Sequence, residues 1–236
     1  MKKVRKTILS MVCAVCALAI IGCKATVTGN NHGDNLNNEE HNTATVVKMS
    51  ELEAYIASLE QNTPDAPYEI CISEPDFKEV GNLIRKNWKK YFSLSFSDYE
   101  NITVFGFQFN NLGATLRKII IPYGVESISE LQRCGKIDII IPDSVQEICA
   151  HALMDIHTDK LTLPEGFTTI GSGAFEYSEI KTIILPKSLT TIGSHSITSY
   201  TVQQIKYAGS EKDWAKIEKT ESDFEGIDII FNCTEE

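Results

Sequence analysis

Ile119-Ile120-Ile121-Pro122, Ile139-Ile140-Ile141-Pro142, Leu161-Thr162-Leu163-Pro164 and Ile183-Ile184-Leu185-Pro186 are four versions of one phrase. Their prolines stand 20, 22 and 22 residues apart, and Ile205-Lys206-Tyr207 falls another 22 residues on, with Ala208 in the proline's place. A fixed period of about 20–29 residues with aliphatic residues in register marks a leucine-rich-repeat solenoid. Further columns agree. Three residues after each proline stands Val125, Val145, Phe167 or Leu189, and three further on Ile128, Ile148, Ile170 or Ile192. Small residues follow at Ser129, Cys149, Gly171 and Gly193, then the pairs Ala152-Leu153 and Ala174-Phe175, with Ser196-Ile197 as a looser third. The first repeat is two residues short, and Glu130-Leu131 takes that place. One such unit cannot bury its own apolar side, so neighbours must stack into a continuous core.

The stretch from Leu161 through Leu163-Pro164 and Thr168-Thr169-Ile170-Gly171 to Ala174-Phe175 resembles the BspA-type (Treponema pallidum-type) leucine-rich repeat. The segment Ser58-Leu59-Glu60-Gln61-Asn62-Thr63-Pro64, followed by Ala66-Pro67-Tyr68, is similar to the head region of treponemal proteins of that family. The resemblance implies a cell-surface or secreted protein, and some members are adhesins for host matrix proteins. The predicted fold is a leucine-rich repeat solenoid of stacked β-strand-plus-loop units, about 22 residues each, behind a small α/β N-terminal cap.

Taken in order, the chain begins with Lys2, Lys3, Arg5 and Lys6, then an apolar run from Ile8 to Ile21 that suits a signal h-region better than a bilayer span. Ile20-Ile21-Gly22-Cys23 resembles the bacterial lipobox, which implies cleavage before Cys23 and lipid attachment to its thiol. An ordinary secretory signal with a nearby cysteine is the alternative. Cys13 and Cys16 would be discarded with the signal. Cleavage removes four of the 22 basic residues and none of the 32 acidic ones, taking the formal net charge from −10 to −14. That balance disfavours nucleic acid and anionic headgroups, so membrane attachment would come through the lipid alone. The expected divisions are a lipoprotein signal peptide over 1–22, a disordered tether over 23–47, an N-terminal cap over 48–92, repeats over 93–209 and a C-terminal cap over 210–236. The expected location is the cell envelope, at the outer membrane or cell surface.

Within the N-terminal cap, Ser50-Glu51-Leu52-Glu53 reads as a capping box before Leu52, Tyr55, Ile56 and Leu59 at helical spacing. Tyr68 to Ile72 reads as a strand. A second helix is expected from Ser73, with Phe77, Val80, Leu83, Ile84 and Trp88 on one stripe. These pieces are expected to cover the open end of the stack. Tyr91 to Phe96 alternates as a strand, and Ile102 to Gly106 with Phe109 makes a degenerate repeat. A further helix starts at Ser210 with Asp213, Trp214 and Ile217, and Ile227 to Phe231 reads as a last strand.

No phosphate loop, HExxH, GxSxG or paired metal-ligand spacing occurs after the signal, so no catalytic residue, metal site or cofactor is predicted. A hydrolase with a group hidden in the N-terminal cap is the other class considered, and no constellation supports it. His32 and His41 have no ligand spacing. His151 and His195 share a column two repeats apart, about 10 Å on strand spacing, with Gly173 between them, and read as solvated loop residues. Cys71, Cys134, Cys149 and Cys233 allow three disulfide pairings. Cys134 and Cys149 fit buried columns as free thiols, and Cys71 and Cys233 lie in opposite caps. The candidate binding surface is the strand face. Residues three and one before each proline should point inward, leaving Ile120, Ile140, Thr162, Ile184 and Lys206 outward beside Lys118, Asp138, Lys160, Thr182 and Gln204. Exposed β-branched residues next to a mixed-charge row suit a protein ligand, and the family resemblance implies a host matrix protein as a candidate. A structural or self-associating surface protein is the alternative.

Overall fold

The computed structural model describes residues 44–99 and 101–233. Cys23, the signal segment and most of the expected tether lie outside the described residues. One side of the molecule is built from parallel strands: β1 (Thr45–Lys48), β2 (Tyr68–Ser73), β3 (Phe92–Ser97), β5 (Leu116–Ile120) and β8 (Asp138–Ile140), adjacent in that order. A second parallel sheet continues with β7 (Gly135–Lys136), β10 (Ile156–Thr162), β12 (Glu179–Leu185), β14 (Val202–Tyr207) and β15 (Asp228–Phe231). A third stacks two-residue strands: β4 (Val104–Phe105), β6 (Ser127–Ile128), β9 (Glu147–Ile148), β11 (Thr169–Ile170) and β13 (Thr191–Ile192). The repeats and their three sheets of parallel strands fit a repeat solenoid.

The columns explain the third sheet. Phe105, Ile128, Ile148, Ile170 and Ile192 pair in succession and are buried. The small residue after them is required sterically. A Cβ on Gly171 would strike the backbone of Cys149 and Ala150, and one on Gly193 that of Gly171 and Ser172. Each repeat proline accepts a turn hydrogen bond three residues on, as in Val145 N to Pro142 O at 3.1 Å and Phe167 N to Pro164 O at 3.2 Å.

The two long-strand sheets meet at one slip. β7 pairs with β10 as Gly135 opposite Ile156, an offset of 21, whereas β10 and β12 pair at 22. The intervening Ile137 is buried and donates its N–H to His157 O at 3.0 Å. Among the described residues β8 therefore has a ladder partner only in β5.

Several boundaries differ from the sequence expectation. The tether was expected to reach residue 47, but Thr45–Lys48 is already a strand on Ile70–Ser73, because Val47 has a place in the core. The N-terminal cap covers the edge of the first repeat, and it does so as further rungs. Its strands β1 and β2 continue the same parallel ladder, joined by α1 (Leu52–Ser58) and α2 (Phe77–Lys86). The capping box at Ser50 does not form. Met49–Glu51 makes a 3-10 turn, and Glu51 opens α1 without a side-chain cap. Ser73 ends β2, and Asp76 caps α2 by accepting from Lys78 N and Glu79 N, since Pro75 forces the chain out of helix between them. Val80, Leu83 and Ile84 face the core as expected, but Trp88 lies beyond the end of α2 and is exposed. At the far end α3 (Glu211–Trp214) carries the full capping box of Ser210 and Asp213, with Trp214 and Ile217 buried.

Two aromatic clusters pack along the core. Phe77, Phe96, Phe105 and Phe109 pack with ring centroids 4.9–6.5 Å apart. Tyr207, Trp214, Phe224 and Phe231 do the same at 5.2–6.4 Å. Such pairs add about 0.5–1.5 kcal/mol beyond area burial.

Candidate protein-binding face

Strand alternation sets this face. In each rung the residues three and one before the proline position point inward. Ile119 and Ile121, Leu161 and Leu163, Ile183 and Leu185, and Ile205 and Tyr207 are all buried. Ile139 is buried too, but Ile141 is only half-buried, because β8 ends at Ile140 beside the slip.

The outward column runs Val46, Cys71, Ser95, Ile120, Ile140, Thr162, Ile184, Lys206 and Ile230. Val46, Ile140 and Ile230 are 42%, 40% and 39% exposed, and Ile120, Thr162 and Lys206 are half-buried. Ile184 departs from expectation: only 9% of it is exposed. It sits mid-sheet with Thr162 and Lys206 flanking it in the ladder, whereas Ile140 has a ladder partner on one side alone among the described residues. Cys71, also an outward residue by register, is fully buried.

The polar row lies two residues before. Lys118 pairs in register with Asp138, and Lys160, Thr182, Gln204 and Asp228 follow in the second sheet. Gln204 Nε2 donates to Asp228 Oδ2 at 2.8 Å. Sequence columns alone missed two members of the surface, Val46 and Ile230, on strands outside the 22-residue period. The alternation of Ile227 to Phe231 was the signal that would have placed Ile230.

The remaining candidates fall elsewhere. His151 and His195 are exposed at left-handed corners, φ 56° and 57°, with Gly173 at 62° between them. Each sits beside a carboxylate of the next unit: His151 Nδ1 is 3.2 Å from Glu176, His195 Nδ1 3.4 Å from Asp223. A Cβ on Gly173 would collide with the His151 ring, so glycine makes room for that pairing. Among the described residues no three metal-ligating side chains gather at one point. All four described cysteines are free thiols. Cys134 is buried, its Sγ 3.3 Å from Phe109 O, and burial pushes the thiol up to about 12. Cys149 was expected in the core and is half-buried, packed against it.

A family model described as the BspA type leucine rich repeat region matches residues 103–218 in six copies. This is a BspA-type leucine-rich repeat protein. No curated protein matches it, and no solved structure does. The six copies cover the stretch from β4 through α3 and leave β1 to β3 outside, although those strands share the ladder of the BspA-type repeats.

Proposed function

We propose that this BspA-type protein is a cell-envelope lipoprotein, anchored through Cys23, that binds another protein with its strand face. Leucine-rich repeats of this kind generally serve protein interaction, and the observation that carries the reading here is the outward column. A folded protein that leaves Val46, Ile140 and Ile230 exposed and Ile120 and Thr162 half-buried along one column, beside Lys118, Asp138, Lys160 and Asp228, offers both apolar anchors and a polar rim. An adhesive role toward host matrix protein fits the family and the extended face. No helix among the described residues is long and apolar enough to cross a membrane.

Ile140→Ser tests the face. Circular dichroism should report an intact fold and binding to immobilised matrix proteins should fall by about tenfold, since central apolar anchors dominate interfaces. Ile139→Ser is the control that should unfold the chain, by burying an unpaired hydroxyl. Binding by Ile140→Ser at the native level would reject this face. Anchoring is tested apart from it: labelled fatty acid should enter the native chain and not Cys23→Ala. A second reading, end-to-end association of copies, is favoured by one observation. Val46 and Ile230 sit on the outermost described strands of the two long-strand sheets, and stacked copies would place them in one column.

A further inference from the structure

Where the turns of two successive repeats lead into β12 and β14, an open depression of about 390 Å³ is lined by Glu176, Tyr177, Glu179, His195, Tyr200 and small hydroxyl-bearing residues. It lies at the strand starts, apart from the outward column already described. Tyr177 and Tyr200 are 73% and 93% exposed, so neither ring serves the core. Tyr177 also has φ 61°, a left-handed conformation that is costly for a bulky side chain. The same corner is Arg133 and Asp155 in the two preceding repeats.

The backbone opens at this point for an identifiable reason. Asn111, Arg133 and Asp155 each donate the corner N–H to a carbonyl of the following repeat, at Gln132, Met154 and Glu176. The next acceptor in the series is Thr198 O. That oxygen is taken instead by Thr201 N and Val202 N, both at 2.9 Å, and by Thr201 Oγ1 at 3.0 Å. The N–H of Tyr177 is thus left without a protein acceptor among the described residues. The lining holds two glutamates and neither lysine nor arginine. Glu176 and Glu179 are each approached through Oε2 by one histidine, His151 at 3.2 Å and His157 at 3.6 Å.

We infer that this depression docks a basic side chain, arginine foremost, of a partner protein. The tyrosine faces attract a cation. A guanidinium stacks on such rings and takes a carboxylate in bidentate fashion, which an ammonium does not. The free N–H of Tyr177 takes a main-chain carbonyl of the same partner, which favours a peptide over an isolated cation. This site is independent of the strand face.

The probe is a fluorescein-labelled peptide of alternating glycine and arginine, with a second peptide carrying neutral citrulline in place of arginine. Fluorescence anisotropy on the full chain should show the arginine peptide binding roughly tenfold tighter than the citrulline one. Tyr177→Asn is the informative variant. Asparagine suits a left-handed corner, so the melting curve should hold or improve, while affinity for the arginine peptide falls by roughly tenfold. Because that change leaves the formal net charge at −10, attraction by overall charge alone would survive it. Equal binding by native and Tyr177→Asn chains overturns the site. Equal binding of the two peptides overturns the cationic ligand. Displacement of the arginine peptide by neutral maltohexaose would assign a glycan instead and overturn the proposal. Ile140→Ser should bind the arginine peptide as the native chain does, which separates this result from the fate of the strand face.

Discussion

Equivalent residues of the first rungs, Thr45, Ile70, Leu94 and Ile119, are 25, 24 and 25 residues apart, whereas Leu161, Ile183 and Ile205 are spaced at 22. The last step, Ile205 to Ile229, returns to 24. All these rungs pair in parallel, with side chains facing the same way. What differs is the route back to the sheet. In the middle each unit returns through a two-residue strand and a left-handed corner. At the N-terminal end the first two returns are by helices α1 and α2, and the third by the two-residue strand β4 and two 3-10 turns. At the other end the return is by α3 and a 3-10 turn at Glu221–Phe224. The lesson is that ladder register defines the stack, while the return path is free to vary wherever its apolar face still fills the same core.

The strongest way to break that comparison is to empty both kinds of return path. Ile170 belongs to the short-strand column and Ile84 to α2, and both are fully buried in one continuous core. Alanine at either position should cost about 2–5 kcal/mol and lower the midpoint of a single urea transition. Two separate transitions in Ile84→Ala would show that the end rungs are a domain of their own. Thr168→Ala, removing a 3.2 Å bond to Gln146 O, should cost only about 0.5–1.5 kcal/mol.

A smaller effect sharpens the outer face. Ile184 and Ile140 hold the same column, 9% and 40% exposed. Serine should cost about 1–2 kcal/mol more at Ile184 than at Ile140, where surface changes stay within about 0.5 kcal/mol. Equal losses would mean that the slip at Ile137 leaves β8 as well covered as β12.

These contrasts also explain what could be read from residues alone. The columns at Ile128, Ile148, Ile170 and Ile192 were legible because steric demand repeats with the period, and they gave the core and the inward strand positions. The rung at Thr45–Lys48 was not, because four residues with one buried side chain carry no periodic signal. Ser50-Glu51-Leu52-Glu53 satisfies a local rule that the 3-10 turn overrides, whereas Ser210 and Asp213 satisfy the same rule and form the box. Exposure of Ile184 depended on its flanking neighbours, and the depression at Tyr177 on where Thr198 O points. Neither is a property of a column.

The far end supplies the next test. Ser210 Oγ accepts from Asp213 N, and Asp213 returns the contact to Ser210 while pairing with Lys216 at 2.9 Å. Those partners, Lys216 first, hold the Asp213 carboxyl well below the usual carboxylate range. The bonds are therefore fully present above about pH 4 and lost only as pH falls through that lowered value. Ser210→Ala should cost about 1 kcal/mol at neutral pH. A loss as large as that of Ile170→Ala would mean that the end rungs lean on their cap more than on the core.

The smallest effect concerns thiol access, which leaves stability untouched and still separates ends from middle. Cys71 lies on β2 near one end, Cys134 and Cys149 in the repeats, and Cys233 just beyond β15. If the N-terminal rungs are as closed as the repeats, iodoacetamide under native conditions should label Cys233 first, Cys149 more slowly, and Cys71 and Cys134 scarcely at all, read by mass spectrometry of the separated peptides. Only thiolate reacts. Burial, and then the charge of Glu147, raises the Cys149 thiol above its ordinary value, so its rate should still be climbing at pH values where a free thiol has levelled off. Cys134, pushed up to about 12, should stay unlabelled across that range until the chain unfolds. The decisive residue is Cys71. It is as buried as Cys134 but belongs to a rung outside the 22-residue period, so labelling of Cys71 at the rate of Cys233 would mean that the helical return paths let the end strands open while the repeats stay shut.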